Sequence, residues 1–498
     1  MRLDATSTSP TSGKLAERVI ARASSGARFC GLLASPRPGG TRLLAVLAEQ
    51  GSLSTESVLL SDTVNGFVSL SPRLAAASWY EREIHDLYGL TPIGHPRLDP
   101  LVLPLEPGSS RPRPGSAKPL DRFEVDLSVL APHVRGEGVF TIPYGPVRSG
   151  VFESVEYLVE TPGEDIPHVQ TRVFYKHRGI EVHFEGRDVA DGVLLAERYE
   201  GVASVAHAIA YCGAIEAVAG AEVPYAAGLV RVIHAELERI ANHLDSAIRH
   251  TEAAGQAVAY ARLGLHKERL QRLRARLCGS RFGRSVVVPG GVAGPPHLPA
   301  TRLFAELDEI EHATRSDLAL LMATPSFLDR LRGTGVVTPE IANQYAAVGP
   351  VGRGSGQMED VRFSRPYTAY RQLGHQLLEP RGEGDALARQ RVRLEEITGA
   401  FHLIRQAADR LDSAARSAPR WSCPIGKASG EGIGWAEAPQ GELLYLVEVE
   451  DNRLLRVKCR SASFHNLALF HTAFPADVLT DFAFIEASFG LSIAGAAG

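Results

Sequence analysis

Residues 195–218 constrain this chain more than any other stretch. They open on a short polar loop, Glu197-Arg198-Tyr199-Glu200-Gly201, and continue as a helical run. In that run Ala206, Ala210, Ala214 and Val218 share one stripe, with Ile209 and Ala217 beside it. So few polar side chains leave no wet face, so the helix is buried and the rest of the chain is built around it. The small residues of the stripe allow a neighbouring helix or a partner surface to come close. Periodicity alone reads the stretch as a core helix with a tight entry loop.

Composition narrows the class. A chain of 498 residues carries two or three domains, and 44% hydrophobic residues are enough for sizeable cores. A formal charge of −4 at this length gives no basic stripe, which excludes a nucleic-acid partner. Cys30, Cys212, Cys278, Cys423 and Cys459 stand far apart with no C-x-x-C, which suits a reducing cytosol better than a disulfide framework. Residues 1–12 are polar and Ser/Thr-rich, read as a disordered tail, and contain no signal peptide. No run reaches the roughly 18–20 apolar residues needed to cross a bilayer, so membrane association is expected only through partner subunits.

The central stretch resembles the first metal-binding segment of [NiFe]-hydrogenase large subunits, above all the membrane-bound, formate-hydrogenlyase type. Through that type it resembles the quinone-reducing 49-kDa subunit of respiratory complex I. Active members read E-R-x-C-G-x-C, then a short spacer and His. Here the frame is Glu197-Arg198-Tyr199-Glu200-Gly201-Val202-Ala203, with His207. Glu200 and Ala203 replace both cysteines.

The remaining chain extends the resemblance. Residues 13–104 read as a small α+β domain, with a helix over 14–21 and apolar strands at 29–34, 43–48 and 57–60. It closes on Trp79-Tyr80-Glu81-Arg82-Glu83-Ile84-His85-Asp86-Leu87-Tyr88-Gly89 and Gly94-His95-Pro96, similar to the signature of the complex I 30-kDa subunit. Its charged residues alone fit a solvated helix face; the resemblance makes the segment an assembly element. Residues 105–137 form a Pro-rich linker. The second domain, 138–498, then resembles the hydrogenase large subunit and the 49-kDa subunit.

Within that domain, residues 144–160 read as two strands and resemble the family's G-P-x-H-x-G hairpin, with Gly145, Pro146 and Gly150 matching and Arg148 in the His position. His177-Arg178-Gly179-Ile180-Glu181 resembles an element whose Arg lies beside the terminal iron–sulfur cluster of a neighbouring subunit. Four amphipathic runs, at 229–244, 263–277, 303–321 and 394–411, imply a helix bundle. The glycine-rich turn at 349–356 lacks a Gly-Lys-Ser/Thr ending, so it is not a phosphate loop. Glu437-Ala438-Pro439-Gln440-Gly441 has Gln where active hydrogenases have Arg. The closing D-P-C-x-x-C of active members falls on Gly490, Leu491, Ser492 and Gly495.

A nickel–iron centre needs soft thiolates from two C-x-x-C pairs. Glu200, Ala203, Ser492 and Gly495 supply none, so no metal and no hydrogen activation are expected, and no cofactor is assigned to this chain. In the quinone-reducing relatives a Tyr position aligns with Gly201, two residues from Tyr199. The resemblance implies site residues Arg148, Glu153, His177, Arg178, Glu181, Tyr199, Glu200 and His207, a set able to carry protons. It implies a mixed α+β fold, a small α+β domain joined to a helical bundle with flanking β-hairpins. It further implies a partner iron–sulfur small subunit with an adjacent [4Fe-4S] cluster, antiporter-like membrane subunits, an acceptor such as quinone, and a peripheral place on the inner face of the cytoplasmic membrane. Two alternatives stay open: a non-redox scaffold of the same complex, and an active hydrogenase with unusual ligands.

Overall fold

The computed structural model describes residues 1, 11–104, 134, 136–148, 153–374, 379–415 and 420–498. Most of the expected tail and linker, with Gly150 of the hairpin, lies outside them. The N-terminal part begins with α1 (Ser12–Ser24), which opens inside the stretch expected as tail because the Thr11 hydroxyl caps it by accepting from the Lys14 amide. Strands β1 (Arg28–Arg37), β2 (Gly40–Glu49) and β3 (Ser52–Ser61) form an antiparallel meander. The short β4 (Gly66–Val68), α2 (Ser78–Tyr88) and β5 (Thr91–Ile93) complete it, and Gly89 ends α2 in the left-handed conformation.

The second half starts with the antiparallel sheet β6 (Phe140–Tyr144), β7 (Glu156–Thr161) and β8 (His168–Arg172). Next come α3 (Val189–Ala196), α4 (Ser204–Ala219), and the long α5 (Tyr225–Ala253) and α6 (Ala257–Cys278). A two-stranded ribbon, β9 (Val287–Val288) and β10 (Gly291–Val292), leads to α7 (Ala300–Met322). The short helices α8 (Pro325–Leu331), α9 (Pro339–Gln344), α10 (Gly349–Gly354) and α11 (Val361–Ser364) precede α12 (Ala386–Ala415). The meander β11 (Gly430–Ala438), β12 (Gly441–Glu450) and β13 (Arg453–Arg460) is followed by α13 (Ala462–Leu467), α14 (Phe482–Phe489) and α15 (Ile493–Ala497). The four amphipathic runs are α5, α6, α7 and α12, and α5 packs along α12. The class is α+β, with small separate sheets around a helical body. Among the described residues no helix is long and apolar enough to cross a membrane.

The buried helix of the opening stretch is α4. Its stripe meets a strand, not a helix. A Cβ at Gly434 would stand 2.0 Å from the Ala210 carbonyl oxygen, and one at Gly432 2.6 Å from that of Ala214. Small residues on both surfaces thus let α4 lie directly on β11.

The two halves share buried ions. Glu442 on β12 takes ion pairs from Arg28, Arg365 and Arg460, and its side chain is fully buried. Helix α2 docks on the second half through Glu83 and Tyr80 of its signature. Lys458 on β13 bridges Glu83 at 2.8 Å and Glu181 at 3.0 Å, and the Tyr80 hydroxyl lies 2.7 Å from His465 Nδ1. Glu81 and Asp86 are buried too. Glu81 accepts from Ser69, Leu70 and Ser71, and Asp86 from the amides of Leu101, Val102 and Leu103. The solvated-face reading of these charges therefore fails, because each has an internal partner.

Candidate functional site

The loop before α4 and the turn before α15 meet. They belong to segments almost the whole second domain apart, and Glu200 joins them. Its Oε1 accepts a hydrogen bond from the Ser463 hydroxyl at 3.1 Å, and its Oε2 lies 3.1 Å from His207 Nε2. The Tyr445 hydroxyl is 2.8 Å from His207 Nδ1. The consistent assignment has Tyr445 donating to Nδ1 and Nε2–H donating to Glu200. Ser463 Oγ in turn accepts the Ser492 amide at 3.1 Å. The Ser492 hydroxyl donates to Glu153 at 2.9 Å, and Glu153 also accepts from the Ile493 and Ala494 amides that open α15.

Glu200, His207, Ser463, Ser492 and Tyr445 are all buried, whereas Glu153 is half-buried and reaches toward the surface. Tyr199 stacks on the His207 ring with centroids 5.2 Å apart. Burial pushes the Tyr199 and Tyr445 hydroxyls and the Cys459 thiol well above their ordinary pKa values, so none of them ionises here. Cys459, whose sulfur lies 3.9 Å from His207 Nδ1, is an inert neighbour and not a replacement thiolate.

The other expected site residues take three different places. Arg178 is exposed, but its guanidinium donates to the carbonyls of Tyr199 at 2.6 Å and Ala494 at 3.1 Å, pinning the α4 entry loop to α15. His177 is anchored on the Ala497 carbonyl at 2.5 Å, and burial lowers its pKa. Glu181 belongs to the ion network under α2, where it accepts from the Cys459 amide at 3.1 Å and pairs with Lys458. Arg148 stands apart from the Glu200 cluster. It pairs with Glu486 at 2.6 Å and lies over the rings of Tyr144 and Tyr157. Gly201, aligned with the Tyr of quinone-reducing relatives, is exposed, and a Cβ added there would meet no atom within 4 Å.

Sequence reasoning missed Ser463, Tyr445 and Cys459. Tyr445 and Cys459 stand in strand-forming runs and Ser463 in a polar stretch with Ser461, His465 and Asn466, so nothing in the sequence sets them apart.

A nickel–iron centre does not fit this donor set. The four positions offer a carboxylate, a methyl group, a hydroxyl and a hydrogen atom, and no thiolate. The space is also taken: a Cβ at Gly495 would lie 2.5 Å from Glu200 Oε2. The carboxylate fills the gap between the two segments that thiolates and metal would otherwise bridge.

Behind the cluster, α5, α11, α12 and β11 enclose a second set of buried charges. Arg239, Arg353 and Arg362 face Glu236, Glu396, Glu437 and Asp360. Burial above all, with the nearby Asp360 charge, pushes Glu437 up to about 7, so a proton there brings the set into balance. The folded state then holds that proton more tightly than the unfolded chain does. The resulting stability is present below the ordinary value of 4.5 and is lost as pH rises through about 7. Glu437→Gln is expected to gain thermal stability relative to the parent as pH rises across this window, measured by paired melting curves. An unchanging gap would contradict it. Gln440, at the turn after Glu437, is buried with neither amide atom hydrogen-bonded.

A cleft of about 870 Å³ lies between α7 and α12, and Arg362 and Glu396 of this charged set line part of its wall. Its Arg405 is engaged by Asp308 and Glu311, and its Arg315 by Glu311.

Comparison with known proteins places these features. Residues 255–425 and 420–496 match the family profile of the respiratory-chain NADH dehydrogenase 49 Kd subunit, residues 43–112 that of its 30 Kd subunit, and residues 178–245 that of nickel-dependent hydrogenase. The chain is 31% identical to the carbon monoxide-induced hydrogenase of Rhodospirillum rubrum, over 66% of its own length and 90% of that protein's. It is 31% identical to the membrane-bound hydrogenase subunit alpha of Pyrococcus furiosus, over 68% and 83% of the two lengths. It is 28% identical to formate hydrogenlyase subunit 5 of Escherichia coli, over 80% and 71%.

Proposed function

Because this chain belongs to the family uniting hydrogenase large subunits with the 49-kDa subunit of respiratory-chain NADH dehydrogenase, we propose that it is the large subunit of a membrane-associated, complex I-related oxidoreductase in which proton-carrying side chains stand where a nickel–iron centre stood. The observation that carries this reading is the Glu200 carboxylate, seated against Gly495 between the two former thiolate segments. It is a fusion of the 30-kDa and 49-kDa subunit types. A [4Fe-4S] cluster in an iron–sulfur small subunit delivers electrons near Arg178, and an acceptor such as quinone removes them. Antiporter-like membrane subunits hold the complex on the inner face of the cytoplasmic membrane.

The residues divide the work. His207 Nε2–H donates to Glu200, and Tyr445 orients the imidazole from its other nitrogen. Ser463 holds the Glu200 carboxylate in place and, through the Ser492 backbone, ties it to the half-buried Glu153. Arg178 keeps the two loops at a fixed separation and presents a positive charge at the surface, which raises the potential of a cluster docked there.

Glu200→Gln keeps the size and the hydrogen-bonding capacity of the side chain but cannot take up a proton. It is expected to slow electron transfer by the assembled complex roughly 100-fold or more. Arg178→Ala is expected to lower the midpoint potential of the adjacent cluster. Unchanged turnover in both variants, with the complex still assembled, would sink the redox reading and leave a scaffold.

A further inference from the structure

Polar atoms without partners gather near the start of α4. Glu238 of α5 reaches across and accepts the first free amides of α4, Val205 N–H at 2.8 Å and Ala206 N–H at 3.0 Å. It therefore takes the place of an N-cap side chain, which α4 itself does not supply. Around it, Ser204 Oγ, His234 Nδ1, and Arg274 Nε and Nη2 are buried and have no hydrogen-bond partner in the protein. Their residues are only 1%, 1% and 3% exposed, and Glu238 is 4% exposed. Arg274 enters from α6 and lies against Gly283, where a Cβ would stand 2.4 Å from its Nη2 and 2.8 Å from the Val205 methyl carbon.

Buried polar groups in folded proteins are satisfied by protein or by ordered water, and each one left without either destabilises by about 1–3 kcal/mol. Here the Arg274 guanidinium acts on the Glu238 carboxylate and on His234, which stands one helical turn before Glu238 on α5, and Ser204 opens the helix whose amides Glu238 accepts. Together they offer the mix of donors and acceptors that internal water takes.

We propose that Ser204, His234, Glu238 and Arg274 line an internal water site, and that Glu238 is a second proton-holding carboxyl for the Glu200 cluster. The charged groups that act on it are Arg274 from α6 and Glu200 from the entry loop, while His234 of α5 and Cys278 of α6 face Arg274 in turn. Burial, with a smaller contribution from the Glu200 charge, pushes Glu238 up to about 7 against the opposing pull of Arg274 and of the Val205 and Ala206 amides. His234 is held neutral, since burial pushes it down to about 3. The uptake is a simple protonation of a carboxylate delivered through water, with no other bond made or broken. The Glu200 charge acts on Glu238 and favours its protonated form.

This deepens the proton-handling reading of Glu200, and it is tested without turnover. An experimental map of the purified complex that resolves ordered water is expected to show water on Arg274 and Ser204. Infrared pH-difference spectra of the complex carrying Glu437→Gln, which removes the other carboxyl held near neutrality, are expected to show a protonated-carboxyl band that titrates near neutrality, disappears on adding Glu238→Gln and shifts on adding Glu238→Asp. Arg274 and Ser204 bonded only to protein would overturn the proposal. So would a neutral-range band unmoved by both substitutions in that Glu437→Gln background, or no such band there without them. Loss of turnover in Glu200→Gln stands or falls separately, so failure of this proposal is distinguishable from failure of that reading.

Discussion

Gly495→Ala is expected to destabilise the chain by roughly 1–3 kcal/mol, the usual effect of forcing an extra carbon into a filled core. The reason is specific. The new methyl would enter within 2.5 Å of Glu200 Oε2, and that carboxylate cannot swing away because Ser463 and His207 hold its two oxygens. Nothing in the backbone opposes alanine, since residue 495 lies inside α15 and is not in the left-handed region. Alanine is in fact the better helix former by about 1 kcal/mol. In a Glu200→Ala background the same Gly495→Ala change is therefore expected to be neutral or stabilising. Chemical denaturation of the four variants measures the coupling, and equal effects in both backgrounds would show that Glu200 does not occupy this space.

Glu442→Ala is expected to have the largest effect on stability, about 3–5 kcal/mol or more. Glu442 is fully buried, and the guanidiniums of Arg28, Arg365 and Arg460 hold its carboxyl well below the usual carboxylate range, against the opposing effect of burial. Removing it leaves the buried Arg365 and Arg460 and the half-buried Arg28 facing one another where β1 and the segment after α11 meet the β11–β13 sheet. The variant should express as aggregate or as a chain whose N-terminal part is open to protease. A soluble variant melting within a degree or two of the parent would contradict the seam described above.

Much of this architecture was legible because local patterns carry it. The spacing of Leu229, Val232, Ile233, Leu237, Ile240 and Leu244 gives α5, and the apolar runs before residue 61 give a three-stranded meander. The polar loop running into an apolar helix is the entry to α4. What stayed hidden is pairing at long range. The α4 stripe announces a close neighbour, but the neighbour is set by Gly432 and Gly434 more than two hundred residues later. Arg148 matches a family position, yet its partner Glu486 lies 338 residues away and draws it out of the cluster. Tyr445 and Cys459 sit in strands whose sequence shows only that they are strands. The role of Glu238 is equally silent, because a glutamate on α5 between Glu236 and Arg239 reads as one more charge in an ion network until the amides of α4 are seen pointing at it.

The central claim is that Glu200, with His207 and the serines around it, has replaced a nickel–iron centre and not merely lost it. Metal analysis of the purified, assembled complex tests this most directly, with the partner's iron counted separately by its cluster signal. Expected is iron accounted for by clusters alone and no stoichiometric nickel, even after expression in nickel-supplemented medium. Nickel in stoichiometric amount with this chain, lost on Glu200→Ala or Ser492→Ala, would contradict it.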